Sequence, residues 1–578
     1  MKRPLLRLSA IGLIGCCAVY LAMPAASPHA KAAQKQKAME VDDVSWINEL
    51  VVERWKESSI KPSAPATDGE FARRAYLDVI GRIPSAKEAR DYIDSKEKDK
   101  KARLITKLLG MEEYGKYWAT IWSNLLIGRN PQRDIDRASM NKYLRDSFAE
   151  NKPWNKLVHE LVTATGGSTP KSTAEGIPYN GATNFMLAHM NDGKVPATSF
   201  TTRLFLGMQV QCTQCHDHPF NDRKQESFWG VNAFLQKVTK QDYNDTSDTG
   251  QRIFLFSDLR DEPLEEGSDL FVRYDKRNAF VEVTPPLWID GSKILEPSPD
   301  LNLRQRLGEL ITSPDNEYFP KAIVNRMWAY FLGRGIVHPM DDLGEHNEPS
   351  NPDLLDKLAE HFKESNYDLK RLITWITLST PYSLSSETNN TNKEDDSLFS
   401  HYLLKQMSPE QFFDSLMVAS RANEVGANKD WERAEQMKEQ LQRQFTQVFG
   451  NDENGEADTF NGTIPQALLL MNGDIMARAV SVDQGSFLRQ RVDAIMETQK
   501  KSKGKARSAD ANLLNDLYLA AVSRYPTGRE KTIANQLFMA TLNASSNTKN
   551  QDMMQIQLQA YQDIFWALLN SSEFVLNH

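Results

Sequence analysis

Cysteine is nearly missing from this chain. Four occur in 578 residues, and two of them, Cys16 and Cys17, lie in an apolar N-terminal stretch. The scarcity excludes a cysteine-rich background in which a close pair would arise by chance, so the remaining pair, Cys212 and Cys215, stands out. Excess positive charge is also missing: the net charge is -8 and the pI about 5.8. A mildly acidic surface argues against nonspecific nucleic-acid binding. Beyond the N-terminus no apolar run is long enough to span a bilayer. There is no Gly-rich phosphate loop, no H-E-x-x-H and no G-x-S-x-G, so the common nucleotide, zinc-protease and serine-hydrolase motifs are excluded. No repeat of 20 to 50 residues is visible. The sequence identifies no catalytic residue.

What is present is Cys212-Thr-Gln-Cys-His216. In a C-x-x-C-H run each thiol can form a thioether with one porphyrin vinyl group, and the following imidazole can ligate the iron. The expected cofactor is therefore one covalent haem c on Cys212, Cys215 and His216. Two other chemistries fit the same residues. Cys212, Cys215, His216 and His218 are zinc-ligand types, although they crowd into seven residues. A local disulfide or a redox dithiol is the third option, although no βαβ pattern surrounds the pair.

The N-terminus reads as an export signal. Lys2, Arg3 and Arg7 precede an uncharged apolar stretch over 8–23 and a small-residue, proline-containing segment to residue 33. The stretch is shorter than the ~20 residues of a spanning helix. Ala30-Lys-Ala32 offers an ordinary cleavage site. Leu13-Ile-Gly-Cys16 resembles a lipoprotein box that would leave a lipid on Cys16. Simple export or an uncleaved anchor is preferred over lipidation, because the apolar run continues past Cys16. The expected location is the periplasm or cell envelope. Export suits covalent haem attachment and equally permits a disulfide.

Periodicity predicts a mainly α, multi-helical protein: two helical domains, 42–237 and 301–578, with a small β-rich insertion at 238–300. Ile47, Leu50, Val51 and Trp55 share one helical face. Ser85 with Glu88 reads as a capping box. Tyr114, Tyr117, Trp118 and Trp122 are either core or a wall around a planar cofactor. Residues 166–182 read as a polar loop. Segments 185–190 and 198–210 read as helices, the second running into the cysteine motif, and 229–238 as one more. Residues 385–397 and 497–510 read as linkers, and 430–447 as a charged helix.

Several longer strings are familiar. Phe71-Ala-Arg-Arg-Ala-Tyr-Leu-Asp-Val-Ile-Gly-Arg-Ile-Pro84 and Leu206-Gly-Met-Gln-Val-Gln-Cys-Thr-Gln-Cys-His-Asp-His-Pro-Phe220 resemble the planctomycete cytochrome C-like domain of the second type. Asn325-Arg-Met-Trp-Ala-Tyr-Phe-Leu-Gly-Arg-Gly-Ile-Val-His-Pro339, Asp341-Asp342, Asn351-Pro-Asp-Leu-Leu355, Tyr367-Asp-Leu-Lys370, Ile464-Pro-Gln-Ala-Leu468 and Trp566-Ala-Leu-Leu-Asn-Ser-Ser-Glu-Phe574 resemble the planctomycete-specific domain of the first type. Both are families of unknown function. The resemblance implies an exported bacterial protein, helical, with covalent haem. The second cytochrome domain of larger relatives is not found: one C-x-x-C-H is present.

If His216 holds iron, Met208, Met190 and His189 are candidates for the distal ligand. His218 follows His216 too closely to reach the opposite face and is a candidate metal ligand instead. Asp341, Asp342 and His346, with Glu345, form an acidic cluster suited to a divalent cation or to acid–base work, or else a structural ion-pair network with Arg326 and Arg334. Three functions follow. The first is an exported haem protein with a redox or electron-transfer role, working with a protein partner or within an envelope assembly. The second is a metal-dependent envelope enzyme or polysaccharide-processing accessory. The third is a scaffold stapled by a local disulfide. One haem in so long a chain leaves most of it for another task, such as holding a partner or a substrate.

Overall fold

Helix signals in the sequence are strong and local, and they set the architecture. Thr67 and Glu70 form a reciprocal capping box that starts helix Asp68–Ile80, and Gly81, at φ 78°, ends it in the left-handed region. Ser85 and Glu88 repeat the box at helix Ala86–Asp94, as the spacing predicted. Helix Ser45–Glu57 buries Ile47, Val51 and Trp55. The computed structural model describes residues 44–129, 131–218, 223–246, 250–264, 271–277, 279–292, 301–420, 474–483, 486–502, 508–545 and 553–578. The segment expected to direct export, with Ala30-Lys-Ala32 and Cys16, the charged helix expected over 430–447 and the motif at 464–468 lie outside them. Among the described residues there are 21 α-helices and small sheets of two or three strands, so the protein is mainly α.

Residues from Asp43 onward form one compact unit. Its first core gathers side chains from Ile47 to Tyr402. Its second is built from the helices after residue 406, together with Leu77 and Ile83. Helix Asp68–Ile80 lies between them, giving Phe71 and Tyr76 to one core and Leu77 to the other. Trp118, Trp122, Tyr114 and Tyr117 are core: Trp122 packs on Trp154 and Trp118 on Tyr330 and Phe331. No helix among the described residues is long and apolar enough to cross a membrane.

Four of the strands fall in the β-type region: Val238–Thr246 pairs with Arg252–Asp261, and Val272–Asp275 with Val281–Thr284, both antiparallel. Two short pairings were not legible in the sequence. Gly166–Gly167, within the segment read as a loop, adds a third strand against Leu259 and Asp258. Lys405–Gln406 pairs with Leu576–Asn577 near the C-terminus. The 385–397 segment, read as a linker, is packed: Asn392 is fully buried and Asp395 accepts from the backbone of Ser397, Leu398 and Ser400. Helix Phe487–Ser502 extends into the second expected linker.

Three expected helices shift; the one expected over 185–190 is Thr183–Leu187. The helix expected over 198–210 starts as part of Asn191–Leu206 and ends four residues early at Gly207, φ 64°. The helix expected over 229–238 is Gln225–Ala233, because Val238 already belongs to a strand. The early stop at Gly207 shapes the site described next.

Candidate composite site at the cysteine loop

Gly207 turns the chain out of its helix and lets another loop approach. The Leu343 N–H donates to the Gly207 carbonyl at 2.8 Å, and Met208 bridges Asp342 in antiparallel fashion. A Cβ on Gly207 would stand 2.7 Å from Leu343 Cδ1, so both the dihedral and the contact call for glycine. The acidic loop is thereby pinned to the chain four residues before Cys212. Asn325 holds the same loop from the other side: its amide donates to the Val337 and Met340 carbonyls and accepts from Val337 N–H.

The cysteine motif opens with the 3₁₀ turn Gln211–Gln214. Cys212 lies within the turn and Cys215 caps it, three residues on. Thr213 is buried and its hydroxyl donates to Val210 at 2.6 Å, while both cysteines are exposed as free thiols. The Gln214 carbonyl accepts from Gln225 Nε2 at 3.0 Å and Trp229 Nε1 at 3.1 Å. Gln225 is buried and also donates to Asp275 in the second hairpin. Trp229 stacks on Tyr274 of that hairpin. The turn is therefore held by a helix and a strand pair, through residues that carried no sequence signal.

His216 Nδ1 lies 2.6 Å from the Asp217 carbonyl. A carbonyl accepts only, so Nδ1 carries the proton and Nε2 the lone pair, the tautomer a metal-ligating histidine needs. Asp217 Oδ1 accepts from Gln225 N–H, which, ahead of the nearby Lys224, holds its carboxyl below the usual range.

The two candidate clusters of the sequence meet here. His218 N–H donates to the Arg223 carbonyl, and its ring lies 5.9 Å from that of His346, centroid to centroid. His346 Nε2 is 2.9 Å from Asp342 Oδ1. Burial first, then the neighbouring His346 and Arg223, lower the His218 pKa. Arg223 Nη2 donates to the Leu343 carbonyl at 2.9 Å. Asp341 turns away and forms an ion pair with Arg326; Glu345 is exposed; Arg334 pairs with Asp396. Among the described residues no three His, Cys, Asp or Glu side chains already stand as a metal-ligand group.

Of the three distal-ligand candidates, His189 and Met190 are consecutive and Met208 follows the next helix. Met208 is buried in the first core, its backbone against Asp342. Met190 is partly buried against that core. His189 is buried, stacks on Phe200 at 4.0 Å and donates from Nε2 to the Leu126 carbonyl at 2.8 Å.

A mainly helical protein with one exposed C-x-x-C-H turn, covered on one side by a loop from the second half of the chain, is the class defined here. The PSCyt2 family, described as a protein of unknown function (DUF1549), matches residues 46–240, and the PSD1 family, a protein of unknown function (DUF1553), matches residues 303–538. The chain belongs to the proteins that carry these two domains in this order. No curated protein and no solved structure matches it.

Proposed function

We propose that the chain is an exported c-type haem-binding protein with a redox or electron-transfer role, held in a cell-envelope assembly by a protein partner. The observation that carries this reading is the cysteine turn itself: two exposed thiols three residues apart, followed by an imidazole whose Nδ1 is held by a carbonyl. Those residues fit the group. Cys212 and Cys215 would carry the thioethers and His216 Nε2 the iron, and a haem so held supplies one-electron transfer. The protein's own part is to fix the turn through Gln225 and Trp229 and to keep the His216 tautomer.

The test is production of the full chain with its export segment in cells that carry a cytochrome c maturation system. Haem-stained denaturing gels and a Soret band are the expected result, both lost in Cys212→Ala/Cys215→Ala. A colourless wild-type protein overturns the proposal.

A further inference from the structure

We propose that the outward face of the hairpin Val272–Asp275 and Val281–Thr284 is an interface between two copies of this chain, packed face to face about a two-fold axis.

That face is poorly suited to water. An antiparallel pair with one solvated side ordinarily turns polar residues outward. Here the order is reversed. Val272, Tyr274 and Thr284 are buried. Glu282, on the same side, is met by Lys276 at 2.8 Å and accepts from the Tyr274 hydroxyl at 3.0 Å. The outward residues of the second strand are Val281, 62% exposed, and Val283, 54% exposed. Phe271, just before the first strand, is 53% exposed and Phe280, just before the second, 69%. Four of the ten large apolar side chains exposed among the described residues are gathered on this one hairpin. That is a patch, and contiguous apolar patches mark interaction surfaces where scattered single residues do not.

The charges on the face select the occupant. Arg273 lies opposite Val283 and Asp275 opposite Val281, and both charged residues are exposed. Alternate positions of a strand share a face, so the face carries one cation and one anion, two residues apart, each beside a valine. Such a pair is its own complement. A two-fold axis running across the strands, midway between the two rows, lays Arg273 over the partner's Asp275 and Asp275 over the partner's Arg273. The same axis lays Val281 over the partner's Val283 and Val283 over the partner's Val281. In an isologous interface each contact occurs twice, so both ion pairs and both valine contacts close together. Any other partner would have to present an apolar face with the charges in the opposite order; a second copy does so by symmetry.

The buried side of the hairpin holds the cysteine turn, through Gln225 on the Asp275 carbonyl and Trp229 on the Tyr274 ring. The dimer therefore links two cysteine turns through one pair of stacked hairpins. The association rests on the hairpin alone and stands or falls apart from the haem proposal. One hairpin face is small, and interfaces below ~1,200 Å² in total hold transiently, so the dimer should form with rising concentration.

The test is sedimentation velocity of the full chain, kept reduced, over a wide range of concentration; monomer passing to dimer is the expected result. Arg273→Asp leaves two anions on the face and Asp275→Arg two cations. Each alone should raise the dimer dissociation constant by more than about tenfold, because like charges then oppose one another across the axis. An equal mixture of the two variants should dimerise again, since each face now complements the other. Val281→Ser should weaken the dimer, whereas Ile253→Ser, exposed on the other hairpin, should leave it unchanged. Circular dichroism melts establish that each variant is folded, as exposed positions allow. A wild-type chain that stays monomeric throughout, a dimer indifferent to both charge changes, or a mixture that stays monomeric overturns the proposal.

Discussion

His189, His216, His218 and His346 carry one side chain into four environments, and the partner of each ring nitrogen sets what the residue can do. His189 is the plainest case. Burial lowers its pKa to about 4, against the opposing pull of the Leu126 carbonyl. In the unfolded chain the ring titrates near 6.5. Between those values the unfolded state binds the proton and the folded state does not, so stability falls as pH drops from 6.5 toward 4. A gap of that width corresponds to about 3 kcal/mol. Urea unfolding of wild type and His189→Gln across pH 4–7 should show the wild type losing this increment and the variant lacking it. Parallel pH profiles would mean that the ring is not neutral in the folded chain. The sequence marked His189 as a distal-ligand candidate from its position alone; its bond to Leu126 and its stacking on Phe200 are long-range and carry no sequence pattern. Cys212, Cys215 and His216 were legible because their chemistry lies in five consecutive residues. That His218 meets His346 was not, because the contact is made by a loop from the other domain.

At the scale of elements, helix ends were the most readable feature where their capping is local. Ser85 with Glu88, read as a capping box, closes as one, and Thr67 with Glu70, at the same spacing but not read from the sequence, closes as another. The Glu88 carboxyl, although burial alone would raise it, is drawn down to about 2 by Arg82 and Ser85. Gly81 ends helix Asp68–Ile80 and has a second role that is long-range: a Cβ there would lie 2.2 Å from the Tyr117 ring, on top of the left-handed φ. Gly81→Ala should therefore destabilise the chain by about 2–4 kcal/mol, combining backbone strain and overpacking. Ser85→Ala loses a cap alone and should cost about 1 kcal/mol. Denaturant midpoints that rank the two the other way would show the Tyr117 contact to be slack. The helix before the cysteine motif was read too long for a related reason. Its apolar pattern continues through Met208 and Val210, and what ends it is Gly207 making room for Leu343, a partner far away in sequence. The strand Gly166–Gly167 likewise exists because Leu259 and Asp258 lie beside it.

Across the whole molecule the motif that opens the first family domain is a clasp for the chain's far end. Arg73 donates to the carbonyls of Ala521, Phe574 and Leu576. Arg74 donates to Leu384 at 3.0 Å and stacks its guanidinium 3.4 Å from the Tyr402 ring centroid. Asp78 is buried and receives four donors: Lys405 at 2.9 Å and Asn577 at 2.8 Å on one oxygen, Tyr382 at 2.9 Å and Tyr402 at 3.3 Å on the other. Charge on a helix ordinarily faces water. Here the charges face inward, and the strand pair formed by Lys405–Gln406 and Leu576–Asn577 supplies three of their partners, Lys405, Leu576 and Asn577. Burial raises the Asp78 carboxyl and lowers the Lys405 amine, and each opposes that drift in the other. Lys405→Met leaves a buried carboxylate without its cation and should cost about 3–5 kcal/mol, as broken buried pairs do. Asp78→Asn in the same chain removes the stranded charge while keeping an oxygen for Asn577 and the tyrosines. The double variant should therefore be more stable than Lys405→Met alone, a coupling that a double-mutant cycle of denaturant midpoints measures directly. Additive losses would mean that Lys405 serves its backbone partners, the carbonyls of Tyr330 and Phe331, and not Asp78.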